Sequence, residues 1–451
     1  MVRSKIVVTI AAFLFSIGGM YAQEPVSLQD AIQYTLKNSE VVKQARLDID
    51  KVAYKVNETR GSALPQINFT SSVTNNVLVQ QFVLPAETFG GPPGEYMAMK
   101  IGQPWNAMSQ VQLSQQVYNQ QLFLGMKAAR NSVEFYELAA KVSEENVIQQ
   151  VSASFYQVVV TREKIKVISA NLERMKQLEK VVQGQYESGL AKKIDLDRIL
   201  VNISNVETQE LQLKNQATLQ ENLLKYYMGM PMSQQIVLQY ESVEKMGVPS
   251  SQMLGAETLN TSNLVSLQVL KKQEQLLILD RKAKAAEGFP SLSLNGNYTL
   301  NTQSGKLNLY SKKALNYDMA NVNLTLRVPI FDGLSRRARV KQAAVEIEKH
   351  QENIRQSNNG MQMNFDNARE QINNSLRAIS NQQENKKLAE EVFYSTQHNY
   401  QNGLASLTDL LNAETELSTA QNSYNEALLN YKIAEIDYIK AKGEIKSLLN
   451  Q

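Results

Sequence analysis

Tyr186-Glu-Ser-Gly189-Leu190-Ala191-Lys-Lys-Ile-Asp195-Leu196 and Tyr400-Gln-Asn-Gly403-Leu404-Ala405-Ser-Leu-Thr-Asp409-Leu410 are two versions of one stretch, and their reading decides the fold. In each, a long helix-compatible run poor in Gly and Pro meets a Gly just after a Tyr and two polar residues. A second such run resumes behind Leu-Ala and an Asp. Glycine ends a helix in the left-handed conformation without a Cβ penalty, and an acidic residue soon afterwards suits the start of the next helix. Each copy therefore predicts a tight turn between two antiparallel helices.

The copies lie 214 residues apart in a chain of 451, and other landmarks keep nearly that offset. Asn38 stands 27 residues before Pro65 as Asn263 stands 27 before Pro290, an offset of 225, and Val117-Tyr-Asn answers Ile330-Phe-Asp at 213. One length difference explains the drift: 52 residues separate Pro65 from Val117, against 40 between Pro290 and Ile330. The chain reads as a tandem repeat with a longer loop in its first half. The expected organisation is a signal peptide over 1–22, repeat 1 over 23–228, a mixed α/β insertion over 229–260 and repeat 2 over 261–451.

The first 22 residues carry Arg3 and Lys5, then an apolar run from Ile6 to Ile17, then Gly18, Gly19 and Ala22. That is the layout of a secretory signal, with an apolar run too short to span a bilayer. Losing Arg3 and Lys5 takes the net charge from +3 to +1, which gives no argument for a nucleic-acid partner. The sequence has no Cys, hence no disulfide, no thiolate chemistry and no N-terminal lipid-bearing Cys. His350 and His398 are its two histidines; both fall in long polar helical runs without a second ligand at metal spacing, and are read as solvated imidazoles. There is no phosphate-binding glycine loop and no clustered acid pair, so neither an enzyme nor a cofactor is expected.

Four segments alternate strictly. Ile67, Phe69, Ser71 and Val73 alternate with Gln and Asn, Thr or Ser after Pro65, and Leu292, Leu294, Gly296, Tyr298 and Leu300 do so after Pro290. Val111, Leu113 and Val117 repeat the pattern, as do Val322, Leu324, Leu326, Val328 and Ile330. Strands are predicted near 65–75, 108–118, 290–301 and 320–331, each about ten residues and long enough to cross a membrane when tilted. One half of a soluble sandwich is the alternative. Against it, the polar faces are Asn, Ser, Thr and Gln rather than Lys and Glu, which suits a water-filled lumen. Four strands cannot close a membrane barrel, and open edges in hydrocarbon cost several kcal/mol per unpaired group, so several chains must share one barrel. Residues 76–106, with the lone Trp105, and 301–319 are read as loops facing away from the helices.

The helical hairpins are predicted over 121–228 and 334–449. Their first arms, about 65 residues without Pro, would each be about 100 Å long. Apolar residues recur every seven at Val151, Val158, Ile165 and Leu172, and at Val340, Ile347, Ile354 and Met361. The stripes then shift to Ile168, Met175 and Val182, and to Phe365, Ile372 and Ile379. A seven-residue period means coiled-coil packing, either a one-layer tube wall or an ordinary antiparallel coil.

A short helix, a Pro-led strand, a loop, a strand ending in VPIFDG (Val328–Gly333), a long helix, the Tyr-x-x-Gly turn and a return helix, in duplicate, together resemble the TolC family of outer-membrane efflux channels. The resemblance implies a mainly α chain with a membrane β-barrel. Three copies, a homotrimer, would close a twelve-stranded barrel in outer-membrane lipid, continued by a periplasmic α-barrel. It implies a passive exit channel for tripartite efflux or type I secretion, served by a periplasmic adaptor (membrane fusion protein) and an inner-membrane transporter of RND, ABC or MFS type. It further implies that Asp409 and Asn412 ring the entrance and that Asp195 and Tyr400 belong to the links that shut it. Gly189, Leu190, Ala191, Gly403, Leu404 and Ala405 would then form the tips that meet the adaptor. Ala405 replaces an Arg of the family's closed-state lock, with Lys192 and Lys193 as candidate substitutes. Helix capping is the competing account of Asp195 and Asp409. A periplasmic coiled-coil adaptor is the alternative function, and an exported enzyme the remoter one.

Overall fold

The computed structural model describes residues 25–240, 258–308 and 312–449. The expected signal peptide and most of the second half of the 229–260 insertion lie outside them. In chain order the elements are α1 (Leu28–Asn38), α2 (Glu40–Gly61), β1 (Gln66–Asn75), β2 (Gln81–Pro85), β3 (Tyr96–Lys100), β4 (Trp105–Tyr118), α3 (Gln120–Glu187) and α4 (Lys193–Met228). The second half gives α5 (Val265–Ala286), β5 (Ser291–Ser304), β6 (Leu315–Arg327), α6 (Ser335–Gln401) and α7 (Leu407–Lys442). The chain separates into two compact units, one from Met1–Leu47, Leu138–Gln268 and Gln356–Gln451, the other from Asp48–Glu137 and Val269–Arg355.

The sheet belongs to the second unit. Its order is β1-β4-β5-β6, antiparallel throughout, so β1 and β6 are its edges. Cross-strand register gives each face one character in the middle rows of the sheet. Ile67, Leu113, Gly296 and Val322 lie in one row, and Phe69, Val111, Tyr298 and Ala320 in the next row of that face. The opposite face carries Asn68, Gln112, Asn297 and Asn321 in a row. There the Gln110 amide donates to Asn297 Oδ1 at 3.2 Å, and the Asn297 amide to Asn321 Oδ1 at 3.3 Å. On the apolar face Ile67 and Phe69 are both exposed in the single chain. Large apolar side chains left bare beside unpaired strand edges mark a surface that something else covers.

Three expectations are corrected. Residues 76–106 are not a plain loop: β2 and β3 pair there as a hairpin, from Gln81 opposite Lys100 to Pro85 opposite Tyr96. The fourth long strand stops at Arg327, leaving Val328 and Ile330 outside it, because Pro329 has no N–H to donate and ends the ladder. His350 is not solvated: it is 7% exposed, with Nε2 2.9 Å from the Leu270 carbonyl on α5.

The helical unit holds the main core. Ala31 and Ile32 of α1 join Leu224 and Met228 of α4, Val151, Phe155 and Val158 of α3, Phe365, Ile372 and Ile379 of α6, and Tyr431 and Ile436 of α7. The shifted stripe is deeply buried at Ile168, Met175 and Val182. Within 229–240, Leu238 forms a parallel bridge with Val26, whose N–H donates to the Val237 carbonyl at 2.8 Å. Among the described residues no helix is long and apolar enough to cross a membrane.

Candidate functional site

The two turns share one backbone. After α3, Gly189 takes φ 76°, its N–H donates to the Tyr186 carbonyl at 2.9 Å, and the Leu190 N–H reaches back to the Gln185 carbonyl at 2.7 Å. After α6, Gly403 takes φ 72°, bonding to Tyr400 at 3.0 Å, while Leu404 bonds to Asn399 at 2.8 Å. This pair of bonds satisfies two carbonyls left open by a helix end and needs a left-handed residue, which is why both copies keep Gly. The Leu after each Gly often folds back onto its helix; here Leu190 is 81% exposed and Leu404 78%.

The return helices start differently. Ser406 precedes α7, and its Oγ accepts from the Asp409 N–H at 3.2 Å while Asp409 Oδ2 accepts from the Ser406 N–H at 3.0 Å and Oγ at 2.7 Å. These hydrogen bonds, the side-chain one first, hold the Asp409 carboxyl below the usual carboxylate range. Asp195 occupies the same third position of α4, but the residue before that helix is Lys192, which makes no side-chain cap bond. Asp195 therefore engages other groups. Arg198 Nη1 lies 3.8 Å from its Oδ1 and donates to Thr408 Oγ1 at 2.9 Å, joining the start of α4 to the start of α7. Burial and then the charge of Asp195 push the Tyr400 phenol up. Asp195 and Tyr400 are thus brought together, Asp409 is turned into its own cap, and Asn412 stands exposed further along α7. The cation beside Asp195 is Arg198 rather than Lys192 or Lys193.

Behind the tips the hairpins share an apolar seam. Leu172, Met175, Val182, Ile199 and Ile203 pack with Leu407 and Leu411, and Tyr400 touches both this cluster and that of Phe393, Leu410, Ala413 and Leu417. A cavity of about 220 Å³ opens there, lined by Arg174, Phe393, Tyr400 and Glu414 among others. Arg174 Nη2 and Nε donate to Glu414 Oε1 at 2.6 and 3.0 Å, and its guanidinium lies 5.7 Å from the Phe393 ring centre. Two signals for these residues were present in the sequence: Arg198 follows Asp195 by three positions, and Glu414 interrupts the apolar series Leu407, Leu410, Leu411, Leu417 at a core position.

A sheet with membrane-length strands, polar on one face and unpaired at both edges among the described residues, in a chain whose two hairpins have first arms of 68 and 67 residues, defines a subunit of a shared channel. Residues 31–230 and 263–444 match the outer membrane efflux protein family, and the chain belongs to that family. It is 20% identical over 392 residues to the outer membrane protein TolC of Vibrio cholerae, covering 86% of this chain and 84% of that one. With TolC of Escherichia coli the identity is 21% over 421 residues, covering 92% and 81%. Among solved structures, a membrane protein from Pseudomonas aeruginosa superposes with a TM-score of 0.73 at 15% identity, covering 92% of each chain. The Campylobacter jejuni CmeC outer membrane channel gives 0.71 at 16%, covering 93% of this chain and 86% of that one.

The protein is accordingly an outer-membrane channel of a tripartite efflux or secretion system, with its helical domain in the periplasm. Members of the family trimerise, work with periplasmic adaptors and inner-membrane transporters, and are non-catalytic transport proteins. A soluble adaptor scaffold is thereby set aside.

Proposed function

We propose that the paired tips are the gate at the periplasmic mouth of this channel. In this reading Arg198 is the latch: it holds Asp195 of one hairpin and Thr408 of the other, and Tyr400 backs the carboxylate from the seam. The Arg198 bridge between helices of different repeats is the observation that supports the reading. An exposed charged pair stabilises by no more than about 1 kcal/mol, so such a latch suits a gate that an adaptor must open. Leu190 and Leu404, flanked by Gly189 and Gly403 and by the half-buried Ala191 and Ala405, offer that adaptor bare apolar tips whose burial would favour docking. Three copies of Asp409, kept ionised by Ser406, would draw cations to the mouth, with Asn412 beside them as a neutral polar group.

Planar-bilayer recording tests this. Arg198→Ala with Asp195→Asn is expected to raise single-channel conductance several-fold, and an unaltered conductance sinks the latch. Asp409→Ala is expected to move the reversal potential towards weaker cation preference; no shift removes Asp409 from the selectivity argument.

A further inference from the structure

The β2–β3 hairpin leaves β1 at the end of the sheet opposite to α2 and α3, and therefore on the outer side of the membrane. Its register sorts its side chains. Phe82, Leu84, Met97 and Met99 lie on one face, and Gln81, Val83, Pro85, Tyr96, Ala98 and Lys100 on the other, which ends in a charge. A two-stranded hairpin alone is marginally stable in water, and a wholly apolar face on such a hairpin needs a cover. Phe82 and Met97 are exposed in the single chain, Leu84 and Met99 half-buried, and Val83 and Tyr96 of the opposite face are exposed as well.

We propose that these faces cover one another: in the trimer, the hairpins of neighbouring copies pack Phe82, Leu84, Met97 and Met99 together over the outer mouth. The occupant is a second copy of this chain, because the hairpin continues directly from β1, an edge strand whose unpaired backbone must meet another copy inside the membrane. The water-facing surface of the sheet gains apolar side chains among its polar ones at this end. Met108, Met319, Tyr317 and Leu315 stand there in the same alternating register as Asn106, Asn301 and Gln303. The lipid-facing side gains polar side chains at the same level, with Thr302 donating to Asn316 at 2.7 Å and Tyr298 to Asp318 at 3.2 Å.

The absence of Cys from the chain makes the test direct. Met97→Cys and Leu84→Cys on the apolar face, and Ala98→Cys on the opposite face, are made in the full-length protein in outer membranes. Each is oxidised with copper phenanthroline, and its trimer is verified by native mass. A disulfide needs Cα atoms within about 7 Å. Chain-to-chain disulfides are expected from Met97→Cys or Leu84→Cys and not from Ala98→Cys. Equal linking from both faces, or none from either apolar-face variant, overturns the proposal. In the latter case labelling by a water-soluble maleimide assigns the face to water, and protection assigns it to lipid or a foreign partner. The cap rests on the trimer and is independent of the gate, so either fails alone.

Discussion

The two hairpin tips end their first helices with the same bonds and begin their return helices with different ones. Repeat 2 has Ser at the cap and Asp at the third helical position, and the two satisfy each other. Repeat 1 keeps the Asp but has Lys192 at the cap, which offers no acceptor to the helix N–H groups. One substitution between the duplicated halves thus decides whether the carboxylate serves its own helix or a neighbour. In repeat 1 the Asp is free to meet Arg198, and through it the helix of the other repeat.

This contrast depends on the hairpins being held in one register, and the Arg174–Glu414 pair ties them. Glu414 is 4% exposed and lies on α7, while Arg174 comes from α3. Arg174→Met would leave a buried carboxylate unpaired, at a cost of about 3 kcal/mol. It should appear as a clear drop in the denaturation midpoint of the detergent-solubilised trimer. Arg174→Met with Glu414→Leu should restore most of it, since an apolar pair of similar volume needs no desolvation. If the single variant is as stable as the parent, the register is held elsewhere.

Ser406→Ala removes the repeat 2 box and should cost about 1 kcal/mol. It also carries a pH signature. The folded Asp409 carboxyl lies below its unfolded value, so its contribution is present above the ordinary carboxylate range and is lost as the pH falls through the lower folded value. The stability gap between parent and Ser406→Ala should therefore narrow in acid, and a pH-independent gap would show that Asp409 takes no part. The converse change, Lys192→Ser, should stabilise the start of α4 by somewhat less than 1 kcal/mol and draw Asp195 away from Arg198. Increased conductance without loss of stability is the expected outcome, and unchanged conductance separates capping from gating.

What the sequence showed in advance was whatever depends on neighbours along the chain. Gly189 and Gly403 mark the turns, Pro65 and Pro290 mark the strand starts, and strict alternation defines the two faces of the sheet. What it hid depends on partners far away. Arg198 and Thr408 are 210 residues apart, and Arg174 and Glu414 are 240 apart, so no window contains either pair. His350 falls between, because its seam was legible. It continues the spacing of Ala343 and Ile347, both buried, and a polar ring on such a stripe meets a partner helix rather than water. The β2–β3 hairpin was masked by Pro85, which ends β2, and by Gly90, Gly91, Pro92, Pro93 and Gly94 in its connection, which read as loop when the short strands on either side are not paired first.

The smallest expected effect is also the most specific to the comparison. Tyr400 is raised first by burial in the seam and second by the charge of Asp195. Asp195→Asn removes the second cause and leaves the first, so the phenol should titrate lower than in the parent yet still above its ordinary value. A raised folded value means that stability is lost as the pH climbs from the unfolded pKa to the folded one, so the variant, whose folded value lies closer to the unfolded one, should lose slightly less stability in alkali than the parent. Ultraviolet difference titration against a Tyr400→Phe reference isolates this ring among the tyrosines. Asp409→Asn is the matched control, because its carboxylate is occupied by Ser406 and is not among the causes that act on Tyr400. If both variants shift the ring equally, the two aspartates are equivalent and the division of labour between the tips is wrong.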